Sequence, residues 1–127
     1  MNLNVLVVDD SAVMRKMVIK TLQISGIPVG DIYEASNGQE GLQMLKENWV
    51  DLALVDINMP VMNGEEMVEK IRQDEEIKDT PVIIISTESS ENRIKLLINK
   101  GVGFVHKPFS PEILKDYIIE KTGVLHE

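Results

Sequence analysis

The sequence predicts an α/β fold in which five parallel strands form one sheet with helices on both faces. Two observations carry this. Apolar runs of strand length alternate five times with stretches of helical period. Four of the runs also stop at a chemically active residue: Asp9-Asp10 after Leu3–Val8, Asp56 after Leu52–Val55, Ser86 after Val82–Ile85 and Lys107 after Phe104–Val105. Parallel strands bring all of these to one edge, and ligands of open parallel sheets sit outside the carboxyl ends of the strands, where the winding reverses.

The first strand, Leu3–Val8, leads through Ser11, a suitable N-cap, into a helix from Ala12 to about Ile24 that Gly26 ends. Val13, Met14, Met17, Val18, Thr21 and Leu22 have helical spacing and are expected inward. A short second strand, Ile32–Ala35, precedes Asn37-Gly38 and a helix through Leu42 and Leu45 to about Asn48. The third strand is Leu52–Val55. From Ile57 to Gly64, the Pro, Asn and Gly residues mark a loop before a helix that turns Met67, Val68 and Ile71 inward. The fourth strand, Pro81–Ile85, is the most apolar and is expected at the centre of the sheet. Ser89 or Ser90 caps the next helix, which runs to about Asn99 with Ile94, Leu97 and Ile98 inward. Gly101 and Gly103 open the fifth strand. Ser110, Pro111 and Glu112 read as N-cap, first-turn proline and first-turn acid of a last helix packing through Ile113, Leu114, Tyr117 and Ile118.

At 127 residues and 43% apolar content, the chain fits one domain and leaves no room for a second. No run approaches the ~18 apolar residues of a membrane span, and Met1-Asn2-Leu3-Asn4 does not open a signal peptide, so a cytoplasmic protein is expected. The absence of cysteine excludes disulfides, thiolate catalysis and cysteine-held metals. A net charge of −8 without a basic stripe speaks against binding nucleic acid and favours protein partners.

Three carboxylates at one sheet edge repel one another unless a cation shares the site. Mg²⁺ suits them, being a hard ion that takes carboxylate and phosphate oxygens, and no histidine or cysteine cluster favours a softer metal. A carboxylate is also a nucleophile toward phosphorus. Phosphoryl transfer asks mainly for positioning and charge neutralisation, so a metal, an ammonium, a hydroxyl and an acceptor complete the parts. Asp56 is the best acceptor, Lys107 supplies a point charge to a phosphoryl oxygen and Ser86 a hydroxyl hydrogen bond. Pro108 bars Lys107 from helical geometry and permits a cis peptide.

This set, Asp9-Asp10, Asp56 with Asn58-Met59-Pro60 and Gly64, Ser86, and Lys107-Pro108-Phe109, resembles the receiver domain of two-component response regulators, specifically the stand-alone CheY-like kind. The resemblance spans about residues 3–121. It implies a flavodoxin-like three-layer sandwich in the strand order 2-1-3-4-5, an order for which this family is itself the standard example. It also implies one receiver domain over residues 1–127 with no output domain, acting as a monomer. By the same resemblance, Asp56 accepts a phosphoryl group from a histidine kinase, and Asp9, Asp10, Asp56 and the main-chain carbonyl of Asn58 hold Mg²⁺. The chain then catalyses only its own phosphorylation and dephosphorylation, with a phosphatase as a further partner.

The resemblance further gives Ser86 the place of the switch hydroxyl and Phe104 that of the switch aromatic. Ser86 would move toward the phosphoryl group, Phe104 would turn inward, and the face of the fourth and fifth helices with the fifth strand would change. Phe104 stands where chemotaxis members carry tyrosine. Thr87 fills a slot usually held by a small residue and should slow the approach of small donors and water. Asn58 and Glu88, each two positions beyond an active residue, would tune dephosphorylation. The favoured target is the flagellar motor switch in chemotaxis; an intermediate in a phosphorelay, or a phosphate sink, needs the same pocket.

Two other classes are weighed. A flavodoxin-like cofactor binder would want a phosphate cradle after the first strand, where Asp9-Asp10 would repel phosphate. An aspartate-nucleophile phosphohydrolase lacks its acid-x-acid signature here. Taken singly, Asp10-Ser11 is helix capping, Asp56 a turn residue and Lys107-Pro108 a loop; together they mark a site. His106 reads as a solvated or packed histidine, and Met14, Met17, Met44 and Met67 as core filler. Trp49 is expected at the opposite edge of the sheet from Asp56.

Overall fold

The computed structural model describes residues 2–125. Its elements alternate from end to end: β1 (Leu3–Val8), α1 (Ala12–Ile24), β2 (Val29–Ala35), α2 (Gly38–Glu47), β3 (Leu52–Val55), α3 (Gly64–Gln73), β4 (Val82–Ser86), α4 (Glu91–Ile98), β5 (Gly103–His106) and α5 (Pro111–Thr122). All strands are parallel in the order β2-β1-β3-β4-β5. The fold is the flavodoxin-like α/β sandwich expected.

Successive residues of a strand point to opposite faces, and the buried residues divide accordingly into two cores. Leu6, Val8, Ala53, Val55, Val82 and Ile84 pack under Leu45 of α2, Met67, Val68 and Ile71 of α3 and Leu97 of α4. On the other face Val5, Val7, Leu52, Leu54, Ile83, Ile85 and Val105 meet Val18 and Leu22 of α1 and Leu114 and Ile118 of α5. Every helix starts on a side-chain cap: Ser11, Asn37, Asn63, Ser90 and Ser110 each accept a backbone amide of the first turn. At α3 the bond is reciprocated by Glu66, a capping box that anchors the loop after β3.

Some expectations change. β2 starts at Val29, not Ile32, because this edge strand is largely exposed and lacks a continuous apolar run. The middle strand is β3; β4 lies between β3 and β5. Both are buried throughout, so apolarity marks an interior strand without ranking it. Val13 and Met17 are 70% and 56% exposed, since Val18 and Leu22 already seat α1 on the sheet. Ile98 and Ile113 are likewise half exposed, and of α4 only Leu97 is fully inward, with Ile94 partly buried. Met67 alone of the four named methionines is fully buried; Met14 and Met44 are partly so. Trp49 is exposed, donates to Asp51 Oδ1 at 2.9 Å, and lines a cavity of about 390 Å³ with Leu3, Ile77 and Pro81, away from the site residues.

Val61 has φ of +67°, and the Met62 amide bonds the Pro60 carbonyl at 2.7 Å, closing a three-residue turn. A β-branched residue is strained there, by about 1–2 kcal/mol. Since Val61 is 74% exposed, replacing it forfeits little packing. Val61→Asn is expected to stabilise by about 1 kcal/mol and raise Tm by roughly 3–6 °C. Thermal unfolding followed by circular dichroism checks this, and an unchanged or lower Tm would remove the claim of strain.

Candidate functional site

The winding of the sheet reverses between β1 and β3, and hydrogen bonds set the register there. Val8 pairs with Val55, and the Asp56 amide donates to the Val8 carbonyl at 2.9 Å, so Asp9 and Asp56 leave neighbouring strands side by side. Ser86 pairs with His106, and the Lys107 amide donates to the Ser86 carbonyl at 2.9 Å, joining the ends of β4 and β5 in the same way. The Lys107-Pro108 peptide is cis.

The Lys107 ammonium lies 3.3 Å from Asp9 Oδ2 and 3.6 Å from Asp56 Oδ1, bridging residues 98 and 51 positions away. Asp9 is 4% exposed, and its Oδ1 accepts the Ser11 amide at 2.9 Å, which leaves Oδ2 for Lys107. One carboxylate oxygen from each of Asp9, Asp10 and Asp56 lies within 4.8 Å of the others. Three anions and one ammonium leave an all-oxygen donor set with excess negative charge, which fits a hard divalent cation. Asn58 is exposed in the loop after Asp56.

Gly64 brings that loop down on the site. Its amide donates to the Ile57 carbonyl at 2.8 Å, and a Cβ there would stand 2.3 Å from the Asp56 carbonyl oxygen.

Partial burial pushes the Asp56 carboxyl above the usual carboxylate range; the Lys107 charge pulls it back, the Asp9 charge pushes it up again and the Ile57 amide lowers it. Because folded Asp56 holds its proton more tightly than unfolded Asp56, its stabilising contribution is present in acid and is lost as pH rises through the raised folded value. With divalent cations chelated, Asp56→Asn is therefore expected to raise Tm near neutrality, by roughly 3–6 °C for each ~1 kcal/mol of removed repulsion. The gain should fade in weak acid as the wild-type carboxyl protonates. Melts of both proteins from about pH 4 to about pH 8 test this; a gain that grew toward acid would reverse the sign.

Ser86 is fully buried at the end of β4, and its hydroxyl oxygen accepts the Glu88 amide at 3.1 Å. Thr87 is exposed and lines a cavity of about 340 Å³ with Met14, Met17, Lys107, Pro108 and Phe109. Glu88 is occupied elsewhere: Oε2 accepts the Ser89 and Ser90 amides at 3.1 and 3.0 Å, and Oε1 pairs with Arg93. Phe104 is already inward, 7% exposed, with its ring edge-on to exposed His106 at a centroid distance of 4.9 Å. Lacking a phenolic hydroxyl, it has no polar tip to keep in water. The expected inward turn therefore has little distance left to cover.

Two residues near the site escape sequence reasoning. Arg15 donates to the Asp9 carbonyl at 2.6 Å and to Glu34 at 2.9 Å, bracing the strand end that carries the acids. A base in the opening turn of a helix with no acid there opposes the helix dipole, and that mismatch was the available signal. Arg93 joins Glu88 to Glu65, 28 positions away, and no local pattern announces such a pair.

Residues 5–119 match the family described as the response regulator receiver domain. The chain is 36% identical over 123 residues to a chemotaxis protein CheY homolog of Campylobacter jejuni, covering 95% of this chain and 93% of that protein. It is 38% identical over 116 residues to the chemotaxis protein CheY1 of Helicobacter pylori, with 90% and 92% coverage. The solved structure of chemotaxis protein CheY4 of Vibrio cholerae superposes with a TM-score of 0.82 at 34% identity, covering 95% of this chain and 99% of that one. Sequence and fold thus converge: this chain belongs to the response regulator receiver domains of two-component systems, a family of signalling proteins rather than conventional enzymes.

Proposed function

We propose that this receiver domain signals by carrying a phosphoryl group on Asp56. The single observation behind the reading is the Lys107 ammonium held between the Asp9 and Asp56 carboxylates, where an arriving phosphoryl oxygen needs a positive charge. An Asp56 carboxylate oxygen bonds to phosphorus as the bond from phosphorus to the imidazole nitrogen of a kinase phosphohistidine breaks, and the departing imidazole takes a proton from solvent. Asp9, Asp10 and Asp56, with the Asn58 carbonyl, would hold Mg²⁺, which supplies charge neutralisation at the phosphoryl oxygens. Lys107 balances part of the added charge, and Ser86 exchanges its present bond with the Glu88 amide for one donated to the phosphoryl group.

Relayed along the loop after β4, that exchange alters the face formed by α4, β5 and α5. Exposed Leu96 and Ile98, on different sides of α4, His106 on β5 and Ile113 on α5 are the apolar and polar side chains these elements offer a protein target. The chemotaxis relatives favour a flagellar motor-switch protein in the cytoplasm as that target, with a phosphatase ending the signal. Among the described residues no helix is long and apolar enough to cross a membrane. Capture of a purified motor-switch protein, with and without a phosphate mimic and Mg²⁺, tests the assignment. Capture strengthened by the mimic is expected; phosphate passing on to a histidine phosphotransfer protein instead would establish a phosphorelay.

A further inference from the structure

We propose that Arg93 is a positioning residue that holds the Glu88 carboxylate away from the phosphorylation site and so lengthens the life of the phosphoryl group, a role that rests on the reading of Asp56 as its carrier. Arg93 stands in the first turn of α4 and spreads its guanidinium over two acids. Nη1 pairs with Glu88 Oε1, while Nη2 and Nε both meet the Glu65 carboxylate, the Nε contact being 3.3 Å. Glu65 is the second residue of α3, next to Gly64, and Glu88 lies two residues after Ser86. The fork thus ties the first turn of α3, where the loop leaving Asp56 ends, to the loop after β4 that leaves Ser86.

The tie settles where Glu88 points. Both of its oxygens are engaged, Oε1 by Arg93 and Oε2 by the Ser89 and Ser90 amides. The Ser90 amide foremost, then the Arg93 charge, keep this carboxyl below the usual range, so it is a poor base. Packing does little to hold the region, since α4 buries only Leu97 fully, and a second pair, Lys100 with Glu69, fastens its far end to α3. Exposed ion pairs contribute little to global stability, and the consequence of this one is directional.

In hydrolysis the oxygen of water bonds to phosphorus as the bond from phosphorus to the Asp56 oxygen breaks, releasing dihydrogen phosphate and restoring the carboxylate. A carboxylate freed beside that water can accept a hydrogen bond from it and orient it. Arg93 denies Glu88 that freedom. The guanidinium fork presents separate N–H groups to the two acids and so fixes the direction of each, which the point charge of an ammonium does less well.

The test compares wild type with Arg93→Gln, Arg93→Lys, Glu88→Gln and the double variant Arg93→Gln/Glu88→Gln. After loading with acetyl phosphate and Mg²⁺ and removal of the donor, Arg93→Gln should lose its phosphoryl group about two- to fivefold faster than wild type. Arg93→Lys should fall between them, and the double variant should decay at the rate of Glu88→Gln alone. An Arg93→Gln effect that persists undiminished without the Glu88 charge, or no effect at all, overturns the role. Amide exchange at Ser89 and Ser90 in the unphosphorylated proteins reads the tie separately: Arg93→Gln should speed it about two- to fivefold, and unchanged exchange rejects the tie. Failure of wild type to load at all refutes phosphorylation of Asp56 and leaves the exchange result to judge the tie.

Discussion

Protein incubated with acetyl phosphate and Mg²⁺ is expected to gain one unit of ~80 Da by intact-mass analysis, and Asp56→Asn and Asp56→Ala to gain none. The expectation follows from the arrangement at the strand ends. Asp56 is the acid that shares Lys107 with Asp9 and also leads into the partly exposed loop before α3. Asp9 is withdrawn, with one oxygen engaged by the Ser11 amide and the other facing Lys107. Asp10 is exposed and makes neither contact. Asparagine at 56 keeps size and shape but loses the anionic nucleophile, so it separates chemistry from folding; alanine removes both oxygens. A mass gain surviving in either variant would move the acceptor to another residue.

Gly64→Ala is expected to destabilise the fold by about 2–4 kcal/mol, lowering the urea midpoint by about 1–2 M. The added methyl would sit 2.3 Å from the Asp56 carbonyl oxygen and 2.9 Å from the Ile57 Cα, and both are backbone atoms that cannot rotate aside. Relief requires the start of α3 to back away from β3, which breaks the 2.8 Å bond from the Gly64 amide to the Ile57 carbonyl and shifts the backbone carrying Asp56. Phosphorylation should slow along with the loss of stability, since reacting groups misplaced by about 1 Å lose much of their rate. Urea unfolding and the rate of mass gain, measured on the same variant, check both effects. A midpoint within error of wild type would show that the close approach is not there.

What the sequence discloses of this molecule follows from how each feature is made. β1, α1 and β3 have their expected limits because a buried parallel strand must be apolar and a capped helix begins at its cap. Asp9, Asp56 and Lys107 are legible for a related reason: charged groups at the ends of buried runs have few places to go but the sheet edge, and the structure brings these three into contact. Ser86 is placed at the neighbouring strand end, engaged with its own loop. β2 hides its first half because an edge strand tolerates Gly30 and Asp31 on its open side. The inward pose of Phe104 and the fork of Arg93 depend on tertiary neighbours, which no local period encodes.

The light seating of α4 has an energetic consequence. Whereas α3 buries Met67, Val68 and Ile71, α4 fully commits one leucine, a burial of about 2–3 kcal/mol, to the sheet. Sliding it to a new resting place costs no more than a modest ligand can repay, while dislodging α3 would forfeit several times as much. Of the two helices that follow Asp56 and Ser86, α4 is therefore the more compliant, and α3 is the firmer frame against which its travel can be felt.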